Sequence, residues 1–528
     1  RMAPRMDRDA AIAQLGSDSF EVLVVGGGAT GLGVAVDAAS RGFRTALVEA
    51  HDFAQATSSR STKLVHGGVR YLEQMDFSLV TEALRERGIL YRNAPHLVRD
   101  LSFVVPRFHW WEGPFYGIGL KLYDALAGRL NLAPSRGLSR DEVVAAIPNV
   151  ERQGLLGGIR YHDGQFDDAR LAIALARTAV AHGAAVANRV EVVGFERRDG
   201  HCAGARVVDR ETGREIAVRA KVVINATGIF ADSLRRLDDP SAPAQVEPAQ
   251  GVHLVLDRSF LAGDTAIMVP HTDDGRVLFV IPWHGVTLVG TTDTPMPKAD
   301  LEPRALPDEV EFILRNAARY LARDPRREDV LSVFAGQRPL VHRGGSGTAT
   351  KSLSRSHEVI VSPSGLVTIV GGKWTTYRKM AEDTMSHATI VGGLEPRPCV
   401  TETLQVHGAL ERTDPALPAE DPLRTYGADA AEILAIGRTR PDLSRPLHPR
   451  LPYTGAELLY AAREEMARSV EDALSRRTRC LLLGAAAAAE VAPRAAEILG
   501  EELRWDAARR AREVESFRRL AEGYRLPA

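Results

Sequence analysis

Near the N-terminus the apolar pattern switches period twice. Phe20-Glu21-Val22-Leu23-Val24-Val25 is an apolar run of strand length, and it runs straight into Gly26-Gly27-Gly28-Ala29-Thr30-Gly31. Helical spacing follows from about Thr30 to Arg41, with Gly42 placed to end the helix in a left-handed conformation. A second apolar run, Thr45-Ala46-Leu47-Val48, closes on the acid Glu49. Strand, glycine turn, helix, strand and acid together predict a βαβ dinucleotide site. Gly26 permits the tight turn, Gly28 lets the backbone approach a pyrophosphate, and Gly31 lets the helix sit close on the strand. The helix N-terminus adds N–H groups and a partial positive charge for phosphates. Glu49 is spaced to accept hydrogen bonds from ribose hydroxyls, and a carboxylate there disfavours the 2′-phosphate of NADP.

Further along, a Ser/Thr-rich loop, Ala56 to Lys63, precedes helical spacing over Asp76 to Tyr91. Aromatic residues crowd between Arg107 and Leu132, where Phe115, Ile118, Leu122, Leu126 and Leu130 recur at helical spacing. Asp167 to His182 predicts a helix, followed by strands at Ala185–Asn188, Val190–Glu196 and Gly204–Asp209. The run Lys221 to Ala226 predicts a buried strand that ends at Thr227-Gly228. Short β-rich runs at His253–Leu256, Ala266–Val269, Val277–Trp283 and Val286–Thr291 predict an antiparallel sheet. A helix near Pro307–Leu321 comes next, and then a second strand and glycine turn, Val367 to Lys373, opens a helix at about Thr375. Glu395 to Pro422 is rich in Pro and Glu and reads as a linker. Beyond about residue 423 the pattern is helical and carries no chemical motif.

Composition narrows the chemistry. In 528 residues, Lys plus Arg is 67 and Asp plus Glu is 68, so no global field draws the chain to nucleic acid, and an anion site must be a local arginine cluster. The three cysteines, Cys202, Cys399 and Cys480, lack metal or redox spacing and suit a reducing cytosol. No metal site is expected. The first nineteen residues lack the apolar stretch of a secretory signal. The run Leu481 to Ala489 is too short to span a bilayer.

Several motifs carry a resemblance over nearly the whole chain. They are Gly26 to Gly31; Thr57-Ser58-Ser59 through Lys63-Leu64-Val65-His66-Gly67-Gly68-Val69-Arg70-Tyr71-Leu72-Glu73; and Val223-Ile224-Asn225-Ala226-Thr227-Gly228. Phe279 to Trp283, Val289-Gly290-Thr291-Thr292-Asp293, Ala335-Gly336-Gln337-Arg338-Pro339-Leu340 and Gly371-Gly372-Lys373-Trp374-Thr375-Thr376-Tyr377-Arg378 complete the set. The chain resembles the FAD-dependent, quinone-linked glycerol-3-phosphate dehydrogenases. The resemblance implies an α/β fold: a discontinuous Rossmann-like FAD-binding domain (18–95, 155–240 and 345–394) and an antiparallel-sheet substrate cap of α+β type (96–154 and 241–344). A linker (395–422) and a C-terminal helical domain (423–528) follow. It also implies oxidation of sn-glycerol 3-phosphate to dihydroxyacetone phosphate, with electrons passed from FAD to a membrane quinone.

A phosphate substrate needs fixed cations, and arginine offers a planar fork for its oxygens. Arg70, Arg338 and Arg355 are the expected phosphate ligands, with Tyr71 as a hydroxyl donor; the alternative for each arginine is a surface salt bridge. The resemblance places His253 at the substrate, where it is the expected proton acceptor, although a lone strand histidine is more often structural. Lys373, after two glycines, is the other candidate proton acceptor; it is expected instead to support the flavin N1–O2 edge electrostatically and to touch substrate. Gly26, Gly28, Gly31, Glu49, Ser58, Ser59, Lys63, His66, Gly67, Thr227, Gly228, Gly372, Lys373, Thr375 and Thr376 are expected to line the cofactor. Thr375 and Thr376 are read as caps of the helix that approaches the flavin.

The aromatic segment has two readings, a cap helix packed on the core or an interfacial patch with Lys121 and Arg129 near anionic lipid. Arg476-Arg477-Thr478-Arg479 and Arg509-Arg510-Ala511-Arg512 read as solvated helix faces. The expected location is the cytoplasm, peripherally on the inner face of the cytoplasmic membrane, and a homodimer is left open. Two other functions stay in view: an oxidase that uses O₂, and a flavin-binding membrane module without turnover.

Overall fold

The computed structural model describes residues 4–69, 75–342 and 356–527. Two sheets organise them. In the first, the strands lie in the order Glu358–Val361, Val367–Val370, Glu215–Asn225, Ser19–Val25, Thr45–Glu49, Ala185–Asn188. The four pairings from Val367–Val370 across to Ala185–Asn188 are parallel. These strands are apolar on both faces because both are covered. Val22, Val24, Leu47, Ile224 and Ile369 pack against the helices Ala29–Ser40, Asp168–Ala181 and Tyr377–Val391. Leu23, Val25, Val48 and Val223 pack on the other side against the helix Arg8–Ser17 and the hairpin Val190–Arg198/His201–Asp209.

The second sheet runs Thr294–Pro295, Val246–Asp257, Val286–Gly290, Leu278–Trp283, Thr265–Val269, Arg99–Arg107, Gly157–Gln165, Leu64–Val65. The long strand Val330–Val341 pairs with Val246–Asp257. This sheet differs from expectation in two ways. It is mixed rather than antiparallel, since Thr265–Val269 pairs parallel with Arg99–Arg107. It also takes in Gly157–Gln165 and Leu64–Val65, which a boundary at 155 assigns to the first unit. Cross-strand pairing is long-range, and apolar alternation alone does not say which sheet a strand joins.

One face of the second sheet (Val252, Leu254, Val280, Val289) packs on the helices Arg140–Ala146 and Pro307–Ala318. The other face (Val255, Ile281, Phe334) shares one continuous core with Leu459, Leu474, Leu482 and Leu499 of the C-terminal helices. The C-terminal part is therefore fused to the cap by apolar burial. It also carries a small hairpin, Pro446–His448 with Leu451–Thr454. The segment 395–422 holds no helix or strand until Pro422, yet it is fastened down: Val406 N–H donates to the Asn93 carbonyl at 3.0 Å, and Val406 and Leu417 are buried.

Candidate active site

The loop 57–68 is the seam where the two sheets and the C-terminal helices meet. Ser58 Oγ accepts from Ala29 N–H at 2.9 Å, in the first turn of the helix after the first glycine loop. Trp374 Nε1 donates to the Ser58 carbonyl at 2.8 Å, and Thr375 Oγ1 accepts from His66 N–H at 3.2 Å, which ties the loop to the second glycine turn. Toward the cap, Thr57 Oγ1 donates to the Gln337 carbonyl at 2.7 Å, and Thr62 Oγ1 lies 2.8 Å from His253 Nε2. Gly67 N–H donates to Tyr123 Oη at 2.7 Å, and that hydroxyl donates to Asp163 at 2.6 Å.

The glycine positions are forced by geometry. Gly26 has φ +115°, and a Cβ there would overlap the Ala226 carbonyl; a Cβ on Gly31 would overlap the Gly26 carbonyl. Gly371 and Gly372 have φ +80° and +71°, conformations that L side chains rarely adopt. Gly228, at φ +59°, faces open space. Parallel pairing of Glu215–Asn225 with Ser19–Val25 sets Thr227-Gly228 beside the first glycine loop, as expected. Glu49 accepts Gly27 N–H at 2.6 Å and His51 N–H at 2.9 Å, and burial pushes its carboxyl above the usual range against those bonds.

On the cap, His253 and Arg338 come from neighbouring strands in the register Ala249↔Arg338 and His253↔Phe334. The His253 ring stacks on Phe334 at 4.9 Å, is 1% exposed, and leaves Nδ1 without a hydrogen-bond partner among the described residues. Burial holds its pKa well below the ordinary histidine value, and the nearby cations of Lys63 and Arg338 push the same way. A Cβ on Gly290 would collide with the ring, and one on Gly251 would lie 2.5 Å from the Arg338 guanidinium. Two glycines thus make room for the two side chains. Arg338 reaches the Thr292 carbonyl at 3.2 Å and Asp293 at 3.3 Å, and its side chain remains 28% exposed. Lys373 follows the second glycine turn, close enough to Asp163 to favour that carboxylate, whose pKa burial raises.

Comparison with known proteins places this arrangement. The FAD dependent oxidoreductase family matches residues 21–378, and the C-terminal domain of alpha-glycerophosphate oxidase matches residues 367–510. The mitochondrial glycerol-3-phosphate dehydrogenase of Homo sapiens is 42% identical over 97% of this chain and 75% of its own length. The corresponding enzyme of Bos taurus is also 42% identical, over 97% of this chain and 75% of its own length. The chain belongs to the FAD-dependent glycerol-3-phosphate dehydrogenases. The solved glycerol-3-phosphate dehydrogenase of Bacillus halodurans, complexed with FAD, superposes at TM-score 0.79 with 29% identity, covering 99% of this chain and 98% of that one. A Mycoplasma pneumoniae L-alpha-glycerophosphate oxidase shares the fold alone, at 19% identity and TM-score 0.57 over 73% of this chain and 98% of that one.

The residues present fit FAD. Two glycine turns flank the strand Glu215–Asn225, the open side of Gly228 leaves room for a ligand, and a half-buried acid ends the second strand. Other expectations change. Lys63 is fully buried, its ammonium held by Ser59 O at 2.7 Å and Asp168 at 2.8 Å, so its side chain does not line the cofactor. Burial pushes the Lys63 pKa down to about 7 against the pull of Asp168. The Ser59 carbonyl is likewise spent on Lys63 and Arg479. Thr376 stands at the N-cap position of the helix Tyr377–Val391 but makes no side-chain cap bond, its Oγ1 donating to the Lys373 carbonyl at 3.3 Å instead, while Thr375 holds His66. Arg70, Tyr71 and Arg355 lie outside the described residues.

The C-terminal arginines are not a solvated face. Arg477 and Arg476 both clasp Asp52, at 2.8 and 2.7 Å, and Arg479 bridges Asp167 and Asp168 at 2.7 and 2.6 Å. Burial works against charge on Asp52, but the two guanidiniums outweigh it and hold the carboxyl far below its ordinary range. Arg509 and Arg512 are exposed, as expected. Sequence reading passed over Thr62, Gly251 and Asp168. Thr62 lay inside the Ser/Thr-rich loop, and Gly251 stands two residues before His253, the spacing that puts both on one face of a strand.

Proposed function

We propose that this chain oxidises sn-glycerol 3-phosphate to dihydroxyacetone phosphate and hands the electrons to a membrane quinone. When bound, FAD supplies the two-electron acceptor for the C2 hydride. Arg338 grips the substrate phosphate, helped by Arg70, Tyr71 and Arg355. His253 accepts the C2 hydroxyl proton at Nδ1, which leaves the ketone. Lys373 holds positive charge at the flavin edge. The Nδ1 of a buried histidine beside an arginine, unpaired among the described residues, carries this reading, because a buried acceptor without a partner is costly unless a ligand satisfies it. Anaerobic addition of glycerol 3-phosphate to the purified flavoprotein should bleach its yellow colour. Persistent colour would sink the proposal. Comparing reduction of a short-chain quinone with peroxide release then separates the two acceptors.

The membrane part rests on the helix Glu112–Ala127. Tyr116, Leu120 and Tyr123 face the core, while Phe115 and Ile118 on the outward side are 54% and 73% exposed. Trp110, just before the helix, is 78% exposed. Single exposed apolar residues are ordinary, but a run of large ones with flanking tryptophans suits the lipid interface. Among the described residues no helix is long and apolar enough to cross a membrane. The wild-type protein should float with anionic liposomes, and a Trp110→Ser, Phe115→Ser, Ile118→Ser variant should stay at the bottom of the gradient with its dye-linked activity intact.

A further inference from the structure

Thr62 is the only described side chain that hydrogen-bonds the His253 ring. For Nδ1 to take a proton, its lone pair must be free, so the neutral ring must carry its hydrogen on Nε2. That N–H then needs an acceptor 2.8 Å away, and Thr62 Oγ1 is there. We infer that Thr62 is a positioning residue that fixes the tautomer and tilt of His253, and that the C-terminal helices hold Thr62 in place through Arg479 and Asp168. The inference rests on His253 being the proton acceptor.

The anchoring is on both sides of Thr62. Asp168 Oδ2 accepts Ser61 N–H at 3.1 Å and Ser61 Oγ–H at 2.7 Å on one side, and the Lys63 ammonium at 2.8 Å on the other. Lys63 sits at φ +64°, a left-handed turn for a residue with a side chain, and its buried ammonium lies 5.0 Å from the Phe334 ring that stacks on His253. The second carboxyl oxygen of Asp168 accepts Arg479 at 2.6 Å, and Arg479 also donates to the Ser59 carbonyl at 2.7 Å. A residue from the far end of the chain therefore braces the turn that presents Thr62. No proton leaves through Thr62; it accepts the Nε2–H bond before and after His253 is protonated.

The test uses the flavin-loaded enzyme and follows anaerobic flavin reduction by glycerol 3-phosphate in Thr62→Val, Thr62→Ser and His253→Gln. Thr62→Val keeps shape and removes the acceptor, so the reduction rate should fall roughly 10- to 100-fold while the substrate concentration at half-maximal rate stays within about threefold. Thr62→Ser restores the acceptor and should come back to within about threefold of wild type. A fast Thr62→Val enzyme with a slow His253→Gln enzyme overturns the role of Thr62 and leaves that of His253 standing. Equal slowing in Thr62→Val and Thr62→Ser also overturns it, because packing rather than hydrogen bonding then sets the rate. A fast His253→Gln enzyme removes His253 as proton acceptor, and the role of Thr62 falls with it.

Discussion

Two arginine sites show how differently one side chain is used in this fold. Arg338 lies over a glycine on the cap sheet, partly exposed, with long bonds of 3.2 and 3.3 Å to the Thr292 carbonyl and Asp293. Arg477 is fully buried and matched to Asp52 at 2.8 and 2.9 Å, with a third bond to the Glu465 carbonyl at 2.8 Å. The first guanidinium keeps part of its surface open to solvent. The second is saturated by the protein and has nothing left to offer. Residue type does not distinguish them; burial does.

The largest effect should follow from opening the saturated site. Arg477→Ala leaves the buried Asp52 with only part of its pairing, which should cost about 3–5 kcal/mol. Thermal unfolding should show a clearly lowered apparent Tm, with kcat/KM of the folded fraction changed only a few-fold. A variant with wild-type Tm would put Arg477 in the same class as Arg338.

Next in size is Arg338→Ala. Loss of a charge-assisted fork to phosphate should lower kcat/KM for glycerol 3-phosphate by roughly 100-fold, about 3 kcal/mol, while the apparent Tm barely moves. Steady-state kinetics beside a melting curve decide it. Unchanged kinetics would erase the contrast.

A buried charge that lacks an ion-pair partner among the described residues sharpens the saturated side. Glu457 is almost wholly buried in the C-terminal helices, and burial pushes its pKa from 4.5 to about 7 despite the Thr454 N–H it accepts at 2.7 Å. Its pKa is higher folded than unfolded, so the unfolded chain releases this proton first, and stability falls as pH rises from about 4.5 to about 7. Glu457→Gln keeps the oxygen acceptor and should flatten that slope, with a gain of roughly 1–2 kcal/mol at pH 8 read from denaturant melts. An unchanged slope would show that Glu457 does not set it.

The smallest effect tests the open side. Gly251→Ala would place a methyl 2.5 Å from the tip of Arg338, a flexible end that can move. Affinity for glycerol 3-phosphate should drop roughly tenfold, about 1.4 kcal/mol, with little change in Tm. Wild-type affinity would mean that the position of Arg338 over the strand does not matter.

Much of this molecule was legible along the chain because its decisive chemistry is local. Gly26, Gly31 and Glu49 act within one strand–turn–helix–strand unit, so their spacing alone foretold the parallel pairing and the tight backbone contacts seen. Arg338 was singled out from a matched motif and His253 from the family resemblance, but the register that sets their strands side by side was not legible. Lys63 and Arg476 to Arg479 were misjudged for one reason. Their partners, Asp168, Asp52 and Asp167, lie 105 to 425 residues away in sequence, and periodicity carries no information about such pairs.

The order of residues by itself determined the dinucleotide turns and the alternation of strand and helix, since both follow from short-range sterics and spacing, and its motifs carried the resemblance to the family. Only the tertiary structure decided which arginines stay partly exposed and which are consumed in the interior, and that the C-terminal helices brace the turn behind His253. The reason is desolvation: a charge gains its meaning from what surrounds it after burial, and those neighbours are assembled by long-range packing.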